Sequence, residues 1–354
     1  MIKVALVGCG RIAKRHSDLL GGNKINNAEL VSVCDINENK AADLGQKFGV
    51  PYYTNMDEMM RAHEIDLVSV LTESGNHAHH VINLAKYGKD IAVEKPLALK
   101  LNDIDLMIKA CEENGCKLFL IKQNRFNVPV IKLREAVVSG RFGKLILGTV
   151  RVRWARNQAY YDQDKWRGTW ALDGGVITNQ ASHHIDMLMW MMGEVVSVFA
   201  KTSTSLVNIE AEDTAVAVLK FKNGALGIIE ATTATRPKDL EGSISILGEK
   251  GSVVISGFAV NKMETWNFED TIDGDNQVLD KFSVNPPNVY GFGHLACYEH
   301  IIDCIINNKK PLIDGDSGKK SLEIITAIYQ SHETGQEVFL NSKSLSSNLG
   351  KSVE

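Results

Sequence analysis

Up to about residue 119 the chain alternates short, continuously apolar runs with segments whose apolar residues recur at helical spacing. The runs IKVALVG (2–8), AELVSVCD (28–35), DLVSVLT (66–72), DIAVEKP (90–96) and KLFLIKQ (117–123) are rich in β-branched residues. Helices are predicted between them, around Ile12–Leu20, Asn37–Phe48, Met56–Ala62, His77–Tyr87 and Asn102–Glu113. Strands apolar on both faces and separated by helices predict an α/β fold with a parallel, doubly wound sheet. Gly88 and Gly115 stand where helix C-caps fall, each just before the next strand.

The rhythm then changes. A helix is predicted from about Val128 to Ser139, then the alternating strand LILGTVRVRW (145–154), a polar aromatic loop over Ala155–Trp170 and a helix starting near Gly174. Six strands follow without intervening helices, at 195–203, 213–221, 224–233, 242–248, 251–257 and 259–268. The breaks KNGA and GEKGS carry the glycine and asparagine that tight hairpins need. Helices near Gly293–Asn307 and Gly318–Glu333 close the pattern. The expected organisation is a first domain over 1–121, an α+β domain with a mainly antiparallel open sheet over 122–340, and a loosely held tail over 341–354.

Composition narrows the function classes. With 354 residues, 44% of them hydrophobic, the chain can bury two cores. A net charge of −4 gives no global field for nucleic acid or an anionic membrane. No apolar run reaches membrane-spanning length, and the N-terminus starts a strand at once, without a signal-peptide pattern. Six cysteines show neither a CxxC pair nor metal-like spacing with histidines, so no metal is expected and a reducing cytoplasm is.

Chemistry enters at the first strand–helix turn, where Gly8-Cys9-Gly10-Arg11-Ile12-Ala13 forms a GxGxxA fingerprint. Gly8 permits the tight turn, and Gly10 lets a pyrophosphate approach the backbone. The amides from Arg11 and Ile12 onward open a helix whose N-terminus favours an anion. Asp35 ends the second strand, where a carboxylate binds both ribose hydroxyls and repels a 2′-phosphate. NAD is therefore expected rather than NADP.

The fourth strand ends on Glu94-Lys95-Pro96, with Lys95 at the carboxyl edge of a parallel sheet, the edge on which ligands bind. Together with the GxGxxA turn, TESGNHAHHVINLAKYGKDIAVEKPL and GGVITNQASHHID, this resembles the Gfo/Idh/MocA family of sugar and cyclitol oxidoreductases over essentially the whole chain. The resemblance implies a Rossmann domain, and a second domain whose open sheet face commonly makes homo-oligomers, dimers or tetramers. It also implies cofactor contacts at Thr72, His77, Glu94 and Lys95, and catalysis by Lys95 and His183. Four residues before its histidine the family usually has an aspartate; here stands Asn179. As an i, i+4 pair on one helix face, Asn179 and His183 can act on one ligand. A neutral amide orients the imidazole without adding charge, so His183 is expected to be less basic than in an Asp–His pair. The neighbouring His184 points about 100° away around the helix.

The substrate end is cationic and aromatic. Residues 151–172 and QNRFN (123–127) gather Arg125, Arg151, Arg153, Arg156, Lys165 and Arg167 among Trp154, Tyr160, Tyr161, Trp166 and Trp170. Guanidinium groups bind carboxylates and phosphates through paired hydrogen bonds, so a substrate with several negative charges is expected. Gln123, Arg125, Arg153, Arg156 and Tyr160 are the candidate contacts, with Asn179 and His183. The segment 152–198 is similar to the UDP-N-acetylglucosaminuronic acid 3-dehydrogenases of this family, which implies a nucleotide-sugar substrate and a place in making surface-polysaccharide sugars. A dehydrogenase of another sugar or cyclitol, or a non-catalytic NAD-binding protein, are the alternatives.

Overall fold

The computed structural model describes residues 1–283, 286, 291–341 and 345–352. The first part of the chain runs β1 (Ile2–Val7), α1 (Ala13–Leu20), β2 (Ala28–Cys34), α2 (Glu38–Phe48), β3 (Tyr52–Tyr53), α3 (Met56–Ala62), β4 (Leu67–Val70), α4 (His77–Ala85), β5 (Asp90–Glu94), α5 (Leu101–Glu113) and β6 (Leu118–Ile121). These strands form one all-parallel sheet in the order β3-β2-β1-β4-β5-β6. Every residue of β4 and β6 is buried, as expected for strands covered on both faces. In this sheet the two-residue β3 is an addition to the expected strands. Strand order reverses between β1 and β4, and the crevice at their carboxyl ends is where such sheets bind ligands.

The second part contains α6 (Val128–Val138), β7 (Leu145–Arg153), α7 (Gln158–Tyr161), α8 (Val176–Asn179), α9 (Ser182–Met192), β8 (Val195–Ser203), β9 (Thr214–Phe221), β10 (Leu226–Thr232), β11 (Glu241–Gly248), β12 (Gly251–Ser256), β13 (Lys262–Phe268) and α10 (Val278–Lys281). After these come α11 (Gly293–Ile306), α12 (Gly315–Thr334) and β14 (Val338–Phe339). The eight strands β7–β14 make a second sheet, ordered β13-β12-β11-β7-β10-β9-β8-β14; its neighbours are antiparallel except for β7 and β10. Its two faces differ. The row Ala200, Ala217, Ile229, Val150, Ile244 is buried, with α9 packed over β7 and β11. On the other face lie Phe199, Val218, Ile228, Thr149 and Ser245, then Lys201, Val216, Glu230, Arg151 and Ser243, and Phe199, Val216 and Val218 are exposed.

Three expectations are corrected. The second domain is not continuous over 122–340: residues 294–319 pack with 1–122, and the other compact unit is 123–293 with 320–354. The C-terminal segment is not loose where it is described. Leu349 is buried and Gly350 donates its N–H to Trp170 O at 2.8 Å, because an apolar side chain near the end finds a place in the second unit's core. The helix expected from Gly174 is broken at Gln180–Ala181, where Ala181 N–H reaches back five residues to Val176 O; Asn179 and His183 therefore sit on two successive helices.

Candidate active site

In the first unit the GxGxxA turn has the geometry a dinucleotide needs. Gly8 has φ of +98°, and a Cβ there would come within 2.8 Å of Leu71 C, so only glycine lets β1 end against β4. At Gly10 a Cβ would meet nothing within 4 Å, which leaves open space over the turn. Beyond it, Ala13 is fully buried, and among the described residues no side chain caps α1, whose N-terminal amides favour an anion. Asp35 is half-buried and fixed by two backbone amides, Cys9 N–H on Oδ2 at 2.7 Å and Asn37 N–H on Oδ1 at 2.8 Å. The carboxylate keeps further lone pairs for ribose hydroxyls. Cys9 and Cys34 remain neutral thiols, pushed up to about 12 by burial and then by the Asp35 charge. These residues fit NAD.

The ends of β4 and β5 are braced from below. His77 is buried between two carbonyls, with Nδ1 2.8 Å from Pro96 O and Nε2 3.0 Å from Thr72 O. A neutral ring donates to only one of them; burial lowers the His77 pKa while the two backbone bonds oppose that shift. Thr72 directs its hydroxyl to His80 Nδ1 at 2.9 Å. Both side chains, expected as cofactor contacts, hold the strand-end loops together.

Glu94, also expected at the cofactor, is held by protein groups too. Its carboxylate, 6% exposed, turns into the unit to meet His16 Nε2 at 2.9 Å, and Lys95 N–H at 3.1 Å. Behind it His16 Nδ1 contacts Tyr298 OH at 2.7 Å, and Tyr298 OH contacts Ser69 Oγ at 2.9 Å. Burial alone would push the Glu94 carboxyl up; hydrogen bonds from His16 and His294 outweigh it and hold it well below its usual range. His16, Glu94 and His294 bring three potential metal-ligand atoms within 4.8 Å of one another, and the His16–Glu94 distance is that of a hydrogen bond. A cluster drawn from α1, β4, β5 and α11 thus fixes the residue before Lys95, which is half-buried at the strand exit. The signal in the sequence is a glutamate beside a core strand, which needs a buried partner.

In the second unit, α8 and α9 position the amide and the imidazole. His183 is 7% exposed, and its Nε2 lies 3.2 Å from Gln123 Nε2. Gln123, expected to touch the sugar, here holds the histidine ring. Asn179 is half-buried and donates its Nδ2 to Asp173 Oδ1. His184 is a core residue against Trp154, with ring centroids 5.8 Å apart, and burial pushes it down to about 3. Glu212 anchors the start of α8. Its Oε1 accepts Ile177 N–H at 2.9 Å and Tyr329 O–H at 3.0 Å, and its backbone carbonyl takes Val176 N–H at 2.9 Å. A Cβ at Gly175 would lie 2.2 Å from that carboxyl, so the turn admits only glycine there. Burial pushes Glu212 up to about 7, against the bonds it accepts.

Among the arginines the structure discriminates. Arg125, expected at the substrate, is buried and grips Asp186 bidentately at 2.6 and 2.7 Å, with Ser321 Oγ adding a bond at 3.1 Å. Arg153, also expected there, lies on the open sheet face, where its guanidinium pairs with Glu230 at 2.6 Å and Glu241 at 3.1 Å. Because side chains alternate along β7, Val150 and Val152 face the core, and Arg151 and Arg153 face away from it. Arg156 and Arg167 remain with the aromatic loop. The Arg156 guanidinium lies over Trp154 and Tyr160 (5.5 and 5.3 Å), and that of Arg167 over Tyr160 and Trp166 (4.7 and 4.6 Å). Asp239 and Asp164 respectively hold them at 2.9 and 3.0 Å.

Comparison with known proteins agrees with both halves of this description. Residues 2–121 match the oxidoreductase-family NAD-binding Rossmann fold, and residues 134–340 match the C-terminal alpha/beta domain of the same family. The chain is 30% identical over 347 residues to myo-inositol 2-dehydrogenase of Thermotoga maritima, covering 96% of this chain and 98% of that protein. The WlbA dehydrogenase of Bordetella pertussis, solved in complex with NADH and UDP-GlcNAcA, has a TM-score of 0.92 at 40% identity over 97% of this chain and 98% of that one. WlbA of Chromobacterium violaceum, with the same two ligands, gives 0.90 at 39% identity over 97% of each chain.

Proposed function

This chain belongs to the Gfo/Idh/MocA family and is an NAD-dependent sugar dehydrogenase, and from that premise we propose that its substrate is UDP-N-acetylglucosaminuronic acid, oxidised at ring carbon three. The observation that carries this reading is the stack of Arg156 and Arg167 on Trp154, Tyr160 and Trp166. Guanidinium groups on aromatic faces suit a ligand that carries diphosphate, carboxylate and rings together better than they suit a neutral cyclitol. The two WlbA proteins that share 39–40% identity bind such a sugar, which supports the same choice.

When bound, NAD supplies the hydride acceptor. Lys95 and His183 contact the reacting hydroxyl and remove its proton, with Gln123 holding the His183 ring and Asn179 orienting the sugar. General-base assistance of this kind contributes on the order of 10²–10⁴ in rate. Arg156 and Tyr160 take the charged end of the substrate. The product is a 3-keto uronate, a substrate for amination toward surface-polysaccharide sugars. We place the enzyme in the reducing cytoplasm, which its six free cysteines fit, and as a homo-oligomer joined through the open sheet face bearing Phe199, Val216 and Val218. Among the described residues no helix is long and apolar enough to cross a membrane.

The test is NAD reduction with UDP-N-acetylglucosaminuronate, UDP-N-acetylglucosamine, glucose 6-phosphate and myo-inositol. The uronate should give the highest kcat/KM by at least about tenfold, a difference of about 1.4 kcal/mol. Equal turnover of myo-inositol would overturn the substrate assignment. Lys95→Ala should bind NADH normally and lose about a hundredfold or more in kcat.

A further inference from the structure

Where family resemblance implies a carboxylate four residues before His183, this chain has Asn179, yet a carboxylate stands directly behind it. Asp173 Oδ1 accepts the Asn179 Nδ2–H bond. Asp173 is 2% exposed and Asn179 half-buried, so the charge lies on the core side of the amide. The second oxygen, Oδ2, accepts Gly168 N–H at 2.8 Å, and the N–H groups of Asp173 and Gly174 both turn back to Thr169 O. The carboxylate therefore joins the turn after the aromatic loop to the last residue of α8.

We propose that Asp173 is a positioning residue for the reaction, acting through Asn179 to supply the orientation that an aspartate at 179 would supply directly. An amide has two ends of nearly equal shape but opposite hydrogen-bonding character. A carboxylate only accepts, so Asp173 selects the Nδ2 end and turns Oδ1 the opposite way as an acceptor. Charge-assisted bonds are about twice as strong as neutral ones, which makes that choice decisive. The negative charge thereby stands at position 173, one side chain behind residue 179. The inference rests on the reading above, in which Asn179 and His183 meet the sugar. Other titratable groups face Asp173: Glu212, whose carboxyl its charge helps to raise, and the Tyr161 phenol, pushed up to about 12 chiefly by burial.

The experiment compares Asp173→Asn, Asn179→Asp and the exchanged pair D173N/N179D, reading kcat, KM for the nucleotide sugar, the pH profile of kcat/KM and Tm. Asp173→Asn should lower kcat roughly ten- to a hundredfold, the range seen when an outer partner of a working side chain is removed, with KM for NAD unchanged. Asn179→Asp sets two carboxylates against each other, so its activity should fall with rising pH and recover as one proton is shared. The exchanged pair restores the bond with donor and acceptor reversed. It should recover kcat to within about threefold of wild type and, with the charge moved to position 179, shift the His183-dependent limb of the profile to higher pH. Recovery of Tm without recovery of kcat, or an Asp173→Asn enzyme that loses Tm alone, would overturn the proposal and leave Asp173 a fold-stabilising residue. If Asp173→Asn fails to fold, the exchanged pair and Asn179→Asp decide the matter. Lys95→Ala, run alongside, separates the two readings: full turnover in that variant overturns both, whereas a dead Lys95→Ala with a failed exchange overturns only the role of Asp173.

Discussion

Asp35 in the first unit and Asp173 in the second are both carboxylates set beside a glycine-bearing turn, but they are held by different kinds of group. Both oxygens of Asp35 are held by main-chain amides, those of Cys9 and Asn37. Asp173 accepts one main-chain amide and one side-chain amide. The contrast extends through each unit. His77 spans the carbonyls of Thr72 and Pro96, while His183 leans on Gln123 and Arg125 on Asp186. A site held by backbone depends on the course of the chain and tolerates exchange of neighbouring side chains. A site held by side-chain pairs fails when either partner is lost, and its substitutions couple.

The sharpest break of this contrast would come at Arg125 and Asp186, whose side chains are 10% and 2% exposed. Arg125→Met leaves a buried carboxylate without its cation and should cost about 3–5 kcal/mol of unfolding free energy in a denaturant titration. Adding Asp186→Leu should recover most of that loss; simple addition of the two costs would mean the pair is not coupled.

Glu212 gives the next largest effect. Its folded pKa, near 7, is raised by burial, so the protonated form is the one folding favours. That advantage is complete below the ordinary glutamate value and disappears as pH rises through 7. Relative to Glu212→Gln, wild type should therefore lose stability between pH 5 and 8, on the order of 3 kcal/mol. A pH-independent gap in Tm between the two proteins would contradict the assignment.

For the backbone-held unit, Gly8→Ala should weaken NADH binding by roughly 10–100-fold, from strain of about 1–3 kcal/mol, as read by fluorescence titration. The smallest effect is expected at Arg153, whose partners Glu230 and Glu241 share a partly exposed face. Arg153→Ala should leave KM for the sugar within about twofold, whereas Arg156→Ala should raise it about tenfold or more. Equal effects at both positions would return Arg153 to the substrate.

Residue patterns made the first unit legible because its signals are local. A glycine turn, a strand end and a carboxylate closing the next strand lie within 28 consecutive residues, Gly8 to Asp35. The open, mainly antiparallel sheet was equally readable, since alternation along β7–β13 records one buried and one open face. Partners in the second unit were not. Arg125 and Asp186 are 61 residues apart, and Gln123 and His183 are 60 apart; no spacing rule links such positions. Nor could periodicity show that the helix breaks at Gln180–Ala181, because residues on both sides are compatible with helix.

Chain order and residue type alone therefore determined the two sheets, the dinucleotide turn, the preference for NAD and the lysine at the strand exit, because each is a matter of backbone conformation or of neighbours along the sequence. Tertiary structure alone decided which arginines stay with the aromatic loop, where Glu94 turns, and that residues 294–319 return to the first unit. Burial chooses those partners: a charged or amide group removed from water must find its complement wherever the fold brings one within hydrogen-bonding distance.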